Sequence, residues 1–177
     1  PASPERMLEE LVIPFQQGSF FRTSVLNAVG PLDLSLTYVM DADIILKVMS
    51  NSNYVYIPTA LASFRIHGDS KTSTSEEKFA EELLTMLNHV LADRQQYPRL
   101  LRLEDGQLKC VFYRRASKHF YMGSRFRKSL RCLYLAVKAH PRSVLEIAKD
   151  EGVGWIVRRL TPPKLYRSIS ALYRSRS

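Results

Sequence analysis

The chain has 177 residues, of which 45% are hydrophobic and 24% are charged, so its length and composition are those of an ordinary globular domain. These values exclude a disordered chain, a collagen and a disulfide scaffold. The sequence contains no run of 18 apolar residues, so no membrane-spanning helix is predicted. The first residues do not have the pattern of a signal peptide. The two cysteines, Cys110 and Cys132, predict free thiols in a reducing cytoplasm.

Charge is distributed unevenly along the chain. Residues 1–108 contain 9 basic and 14 acidic residues, a net charge of −5, whereas residues 109–177 contain 17 basic and 3 acidic residues, a net charge of +14. A basic half favours an anionic neighbour, which is nucleic acid, an acidic lipid surface or an acidic region of the same protein. A solvated helical face is the alternative explanation.

The first predicted elements are two helices and two strands. Thr23 as a cap and Gly30 as the end predict a short helix through Val29. Apolar residues near one face predict a helix over 41–49. Aromatic and β-branched residues predict strands over 54–57 and 61–66. This mixture predicts an α/β arrangement in the first part of the chain.

Only helices are predicted in the second part of the chain. Thr74 and Glu77 have the spacing of a capping box, and the helix that follows them is expected to stop before Pro98. Helical spacing also predicts helices over 108–121 and 126–139. A further helix is predicted to start near Ser143.

Asp41 and Asp43, which are separated by Ala42, form the first candidate site. Two carboxylates at this spacing suit divalent-metal binding or acid–base chemistry. Acidic residues are also common at helix starts, because they interact favourably with the positive end of the helix dipole. The spacing by itself therefore leaves both interpretations open.

Arg65, His67 and Lys71 form the second candidate site. On a strand, Arg65 and His67 point to the same face, where a cation beside an imidazole can hold an anion or the histidine can bind a metal. Lys71 lies between Ser70 and Thr72, a combination that suits phosphate contacts, but no glycine-rich loop precedes it and a Walker site is excluded. An ordinary strand end with an exposed arginine and a packed histidine is the alternative.

Five short motifs follow one another between about residues 11 and 82, under half of the chain. They are Gln17-Gly18-Ser19-Phe20-Phe21-Arg22, the segment from Gly30 to Asp33, the Asp41-Ala42-Asp43 helix start that continues to Lys47, Arg65-Ile66-His67, and Ser70-Lys71-Thr72. Each motif is short, and their order is the informative feature. In this order they resemble the second half of the catalytic domain of a family 2 glycosyltransferase.

The resemblance implies both a fold and a reaction. The fold is an α/β one, the C-terminal portion of a GT-A-like domain, followed by an α-helical region. The reaction is the inverting transfer of a sugar from a nucleotide-sugar donor to the hydroxyl of a sugar or lipid-linked acceptor, in polysaccharide or glycolipid assembly. Asp41 matches the general base of the family, and Asp43 matches its second acid, an orienting partner.

The remaining motif residues match positions around the donor and the acceptor. Arg65, His67 and Lys71 match the side of the donor diphosphate, where cations offset the charge on the leaving group. Gln17 and Arg22 match positions that line the acceptor side or support the base. The resemblance also implies a divalent metal, Mg²⁺ or Mn²⁺, for which His67 is a candidate ligand. In the alternative interpretation, Asp41 and Asp43 are themselves the metal motif.

The change of charge and of element class near residue 105 predicts two units. Residues 1–105 are predicted to be the C-terminal part of the catalytic domain, and residues 106–177 a basic helical tail. The nucleotide-binding first half of the family's domain has no counterpart in the sequence, so the isolated chain is predicted to be inactive, or active only with a partner that carries that half.

Location and partners are predicted from the tail and from the resemblance. Basic and aromatic residues alternate over 155–177, a pattern that suits peripheral contact with an anionic membrane. An amphipathic helix that covers the catalytic domain is the alternative, and both stay open. The predicted location is cytoplasmic, with peripheral contact at the inner face of the membrane under the first of these interpretations. A non-catalytic helical interaction module is the first alternative function. A basic nucleic-acid-binding domain is the last, because no recognisable nucleic-acid-binding motif is present, and nucleic acid is not a predicted partner.

Overall fold

The structure, a computed structural model, describes residues 13–63, 75–142 and 160–162. Five α-helices and three short 3-10 turns lie in these residues. The α-helices are α1 (Thr23–Val29), α2 (Met40–Asn51), α3 (Glu76–Ala92), α4 (Asp105–Met122) and α5 (Phe126–Ala139). The 3-10 turns are Gln16–Gly18, Arg94–Gln96 and Pro98–Leu100.

The predicted helices are confirmed wherever they fall in the described residues. Helix α1 ends at Gly30, whose φ of 87° lies in the left-handed region that favours glycine. Helix α3 begins at Glu76, and its N-cap residue Ser75 makes no side-chain cap. Thr74 itself and the helix predicted from Ser143 lie outside the described residues.

The predicted α/β fold is wrong for the part of the chain that the structure describes, since no strand occurs there. Residues 54–57 have no regular structure, and Val55 is 88% exposed. A β-branched and aromatic run becomes a strand only when a neighbouring strand accepts its backbone hydrogen bonds, and none of the described segments does so. Of the second predicted strand, residues 61–63 are irregular and exposed, and the rest lies outside the described residues.

The hydrophobic core lies between α2, α3, α4 and the two 3-10 turns that connect α3 to α4. Its most deeply buried members are at most 2% exposed: Leu36, Ile45, Leu46, Met86, Leu87, Val90, Tyr97, Leu100, Leu108 and Phe112. Apolar residues recur every three or four positions on α3, which turns one continuous face of that helix towards the core. The core includes residues on both sides of position 105, where the sequence changes charge.

The connection between α3 and α4 is held by polar contacts to the end of α2. The Asn51 side chain donates to the carbonyl of Gln96 at 2.8 Å, and the backbone N–H of Arg99 donates to the Ser50 hydroxyl at 3.0 Å. The guanidinium of Arg94 donates to the Asp105 carboxylate at 2.6 Å. These bonds fix the short turns that carry Tyr97 into the core.

Helices α4 and α5 form an antiparallel hairpin with small residues along its interface. Ser117 and Ser129 are fully buried there, with their hydroxyl oxygens 2.9 Å apart, and Ala116 and Ala136 are also fully buried. Small side chains let two helices approach closely, so the hairpin is densely packed. A capping box between Glu104 and Gln107 begins the hairpin.

The two cysteines lie in this hairpin as free thiols, as the sequence predicts. Both Cys110 and Cys132 are buried, and burial raises the pKa of the Cys110 thiol and raises the pKa of Cys132 to about 11. Because the thiolate is the reactive form, neither cysteine has the properties of a nucleophile.

Acidic residues of α3 pair with basic residues of the hairpin. Glu77 accepts from Arg125 at 2.6 Å and from Lys128 at 2.8 Å, and Lys128 also donates to Glu81 at 2.8 Å. An acidic region of the same chain is therefore one neighbour of the basic half. No helix among the described residues has the length and apolarity needed to cross a membrane.

Gly106 offers a test of the hairpin packing. A Cβ placed on Gly106 would lie 2.6 Å from the carbonyl oxygen of Ala139, the last residue of α5. We expect Gly106→Ala to lower the free energy of unfolding by about 1–3 kcal/mol, because backbone must shift to relieve the clash. Chemical denaturation measures the change.

The matched control for this substitution is Gly18→Ala. A Cβ on Gly18 meets no atom within 4 Å, so this variant is expected to unfold within about 0.5 kcal/mol of the unchanged chain. Helix propensity alone would make Gly106→Ala stabilising by about 1 kcal/mol. A more stable variant would therefore contradict the close approach of α4 and α5.

Candidate functional site

Asp41 and Asp43 lie in the first turn of α2 with different surroundings. Asp41 is exposed, and its carboxylate accepts only the backbone N–H of Ala42, at 2.8 Å, among the described residues. Asp43 is 1% exposed and faces the core. Residues two positions apart on a helix are separated by about 200° around its axis, which explains why one acid meets solvent and the other is buried.

The buried Asp43 carboxylate is held by one hydroxyl and one ammonium group. The Tyr97 hydroxyl donates to Oδ1 of Asp43 at 2.6 Å, and Nζ of Lys47, one helical turn along α2, lies 2.7 Å from Oδ2. Lys47 is itself buried, and its ammonium lies 6.0 Å from the centre of the Tyr97 ring. We call these three residues the Asp43 triad. Oδ2 of Asp43 makes no hydrogen bond, so its charge is compensated only by the ion pair with Lys47. A buried carboxylate held by one hydrogen bond and one ion pair is a positioning group.

Burial and the negative charge of Asp43 both act on Tyr97. Loss of water around the hydroxyl, followed by its hydrogen bond to Asp43, raises the pKa of Tyr97 far above its ordinary value. Tyr97 is therefore the fixed proton donor of the triad. Its ionisation opposes the folded state only as the pH rises past about 10, the value for an unfolded tyrosine.

Glu82 of α3 caps the N-terminus of α2 from outside that helix. One oxygen of its carboxylate accepts the backbone N–H groups of Thr37, Tyr38 and Val39, at distances between 2.5 and 3.1 Å. These groups precede the first turn of α2, where a negative charge is favoured by the helix dipole. The end of α2 that presents Asp41 is thus fixed to α3.

Two further contacts hold the loop before α2 against α3. The Tyr38 ring packs edge-on against Phe79 with centroids 5.3 Å apart. Asp33 accepts the N–H and hydroxyl of Ser35, at 2.9 and 2.6 Å, and lies 3.0 Å from Nδ1 of His89. The Ser35 hydrogen bonds lower the pKa of Asp33. Asp33, from the second motif, therefore has a structural role.

The other predicted site residues are either exposed or outside the described residues. Gln17 lies in a 3-10 turn and Arg22 immediately precedes α1; both are exposed, and neither hydrogen-bonds to Asp41. Arg65, His67 and Lys71, predicted for the donor diphosphate, lie outside the described residues. Their roles stay predictions.

The geometry of α2 does not fit a metal site formed by Asp41 and Asp43. The two carboxylates point to different sides of the helix, and the ammonium of Lys47 occupies one oxygen of Asp43. Within the described residues, no group of three histidine, cysteine or acidic side chains is arranged to hold a metal ion. The interpretation of Asp41 and Asp43 as a metal motif is therefore not supported. The role of His67 as a metal ligand stays a prediction.

A groove of about 380 Å³ lies on another part of the molecule, between α3, α4 and α5. Leu84, Phe120, Cys132 and Leu135 are among its apolar lining residues, and none of the predicted site residues lines it. The groove is therefore separate from the Asp41 site.

Sequence reasoning did not find the roles of Glu82 and Tyr97. Both lie at least 43 residues from the backbone or side-chain groups they bind, so local spacing carries no sign of the pairing. One signal was available: Tyr97 precedes a proline and follows a polar helix end, where a buried aromatic residue anchors a turn.

Comparison of the chain with family models, with curated proteins and with solved structures finds no match. The likeness of the five motifs to family 2 glycosyltransferases therefore stays a resemblance. The arrangement of Asp41 and the Asp43 triad is the structural observation that bears on it.

Tyr97→Phe tests the Asp43 triad. The substitution keeps the buried ring and removes the hydroxyl, which leaves one oxygen of a buried carboxylate without its donor. We expect the free energy of unfolding to fall by about 1–3 kcal/mol, as measured by urea denaturation. Tyr134→Phe is the matched control, because the Tyr134 ring is 64% exposed, and its change should be within about 0.5 kcal/mol. Equal effects of the two substitutions would contradict the triad.

Proposed function

We propose that this chain is part of an inverting glycosyltransferase in which Asp41 is the general base. The observation that carries the proposal is the difference in environment between the two acids in the first turn of α2. Asp41 presents a carboxylate to solvent, while Asp43 is buried and held by Tyr97 and Lys47. This division agrees with the roles that the family resemblance assigns to the two acids.

The proposed reaction requires a proton acceptor beside the acceptor hydroxyl. Asp41 takes the proton of that hydroxyl as its oxygen attacks the anomeric carbon of the donor sugar. The bond from the anomeric carbon to the diphosphate breaks, the nucleoside diphosphate leaves with the electron pair, and the sugar configuration inverts. Arg65, His67 and Lys71 are proposed to face the leaving diphosphate, where their positive charge offsets its charge.

Rigid placement of the base supports the proposal. The Asp43 triad holds α2 from the core side, and the Glu82 carboxylate holds the three backbone N–H groups that precede the helix. A catalytic group contributes most when its supporting shell keeps it in a fixed position. These contacts give Asp41 such a support.

The exposed apolar residues support the proposal that this chain is part of a larger enzyme. Eight of the thirteen large apolar side chains that are exposed in the described residues lie between residues 13 and 63. The most exposed of them are Val55, Leu34, Phe20 and Phe15, at 78–88%. Exposed apolar surface is where contact with other protein is favourable, so this stretch is proposed to pack against another part of the enzyme, the donor-binding part.

A helical interaction module is the second candidate function. The observation that favours it is that all regular structure in residues 13–63 and 75–142 is helical. In such a module Asp41 is an ordinary acidic residue of a first helical turn, where its charge is favourable to the dipole. The module predicts no loss of function when Asp41 is replaced.

Asp41→Asn in the full-length protein that contains this chain separates the two candidates. Asparagine keeps the size of the side chain but does not accept a proton, so sugar transfer should fall by about 10²–10⁴-fold. Transfer is measured as nucleoside diphosphate released and as labelled glycoside formed, with a panel of nucleotide-sugars. Donor binding, measured by calorimetry, should change less than about threefold, since Asp41 acts on the acceptor.

Asp93→Asn is the control for this experiment. Asp93 is also an exposed aspartate, and its carboxylate accepts a local hydrogen bond from the Gln96 side chain at 2.8 Å. This variant should retain transfer. Equal activities of the two variants would remove Asp41 as the base, and a lack of transfer by the unchanged full-length protein would favour the interaction module.

A further inference from the structure

Helix α5 carries a stripe of exposed basic residues on its outer side. Arg127, Arg131, Tyr134 and Lys138 follow one another at four-, three- and four-residue spacing, which places them within about 60° around the helix axis. We call these four residues the α5 stripe. All four are exposed, and the opposite side of the helix carries the buried residues Ser129, Cys132 and Ala136.

The positive charge of the α5 stripe is not neutralised within the described part of the chain. Residues 109–142 contain ten lysines and arginines and no acidic residue. The acids of α3 pair with Arg125 and Lys128, on the flank of α5, and none of the ion pairs among the described residues involves the three cations of the stripe. The stripe therefore presents a net positive surface of three charges to an outside partner.

Apolar groups stand within and beside this positive surface. Tyr134 is 64% exposed in the middle of the stripe, and Val137, 46% exposed, lies on one flank of α5, about 60° around the helix axis from Tyr134. Duplex nucleic acid would be held on this face by the cations, which contact its phosphates. An interface of anionic lipids uses both kinds of group, because cations meet the headgroups while aromatic and aliphatic side chains enter the acyl boundary.

We infer that the α5 stripe is a membrane-binding face that takes the surface of an anionic lipid bilayer. Helix α5 lies parallel to the bilayer, with Arg127, Arg131 and Lys138 at the headgroups and Tyr134 at the acyl boundary. Contact is peripheral, and it depends on lipid charge and on salt. This inference concerns the helical hairpin and does not depend on the proposed transfer reaction.

Vesicle binding of the full chain tests the inference. Vesicles of phosphatidylcholine alone are compared with vesicles that also contain phosphatidylglycerol, and bound protein is measured by sedimentation. The unchanged chain should bind only the anionic vesicles, and added salt should release it. The double variant Arg127→Glu/Lys138→Glu should bind them at least about tenfold more weakly, because two attractive charges become repulsive.

Three further variants separate the contributions of local charge, the Tyr134 side chain and net charge to vesicle binding. Arg127→Gln/Lys138→Gln removes charge without reversing it and should lose binding by a smaller factor. Tyr134→Ser should weaken binding about threefold or more at unchanged charge. Lys78→Glu/Lys118→Glu changes the net charge as much as the first variant, on other helices, and should bind within about twofold of the unchanged chain.

Several results would overturn the membrane-binding face. An equal loss in the Lys78/Lys118 control would mean that net charge alone decides binding. Full binding by Tyr134→Ser, together with release of the chain from vesicles by duplex DNA, would identify the stripe as a polyanion site. Equal binding to both kinds of vesicle, or to neither, would remove the anionic membrane as the partner.

Discussion

The buried charge of Asp43 is the constraint on which the arrangement of the described structure depends. A carboxylate inside a helical core is tolerated only when partners compensate its charge. Here Lys47 of α2 supplies an ion pair, and Tyr97, in the turn between α3 and α4, supplies a hydrogen bond. Loss of one partner of a buried ion pair costs about 3–5 kcal/mol, whereas a well-packed apolar replacement of the whole pair is often neutral. The triad therefore specifies how α2 meets that turn more than it adds stability.

Helix α3 connects α2 and the Asp43 triad to the α4–α5 hairpin. Its apolar face supplies much of the core, and its polar side contacts three different partners. Glu82 caps α2, Glu77 binds cations of the α4–α5 hairpin, and Glu76 lies 2.6 Å from His119 of α4. In contrast to these acids of α3, Asp41 of α2 makes no contact to another element among the residues that the structure describes.

The sequence predicted the helices well because their information is local. Apolar spacing and the glycine at position 30 were sufficient for α1 and α2, and the same spacing located the α4–α5 hairpin. Residues 54–57 failed as a strand because strand formation depends on a partner elsewhere. Helical geometry explains why Asp41 and Asp43 lie on different sides of α2. Which of the two sides is buried depends on Tyr97, more than fifty residues away in the sequence. The donor-side residues Arg65, His67 and Lys71 depend on a segment outside the described residues.

The exposed apolar residues between 13 and 63 have a consequence for handling the protein. Phe15, Phe20, Leu34 and Val55 are each at least 78% exposed, and in water such groups attract one another whenever two molecules meet. Salts that strengthen apolar association, such as sulfate, increase this attraction, whereas the high net charge of +9 opposes it through repulsion. The colloidal stability of the isolated chain is therefore set by ionic strength, since salt screens the repulsion and leaves the apolar attraction in place.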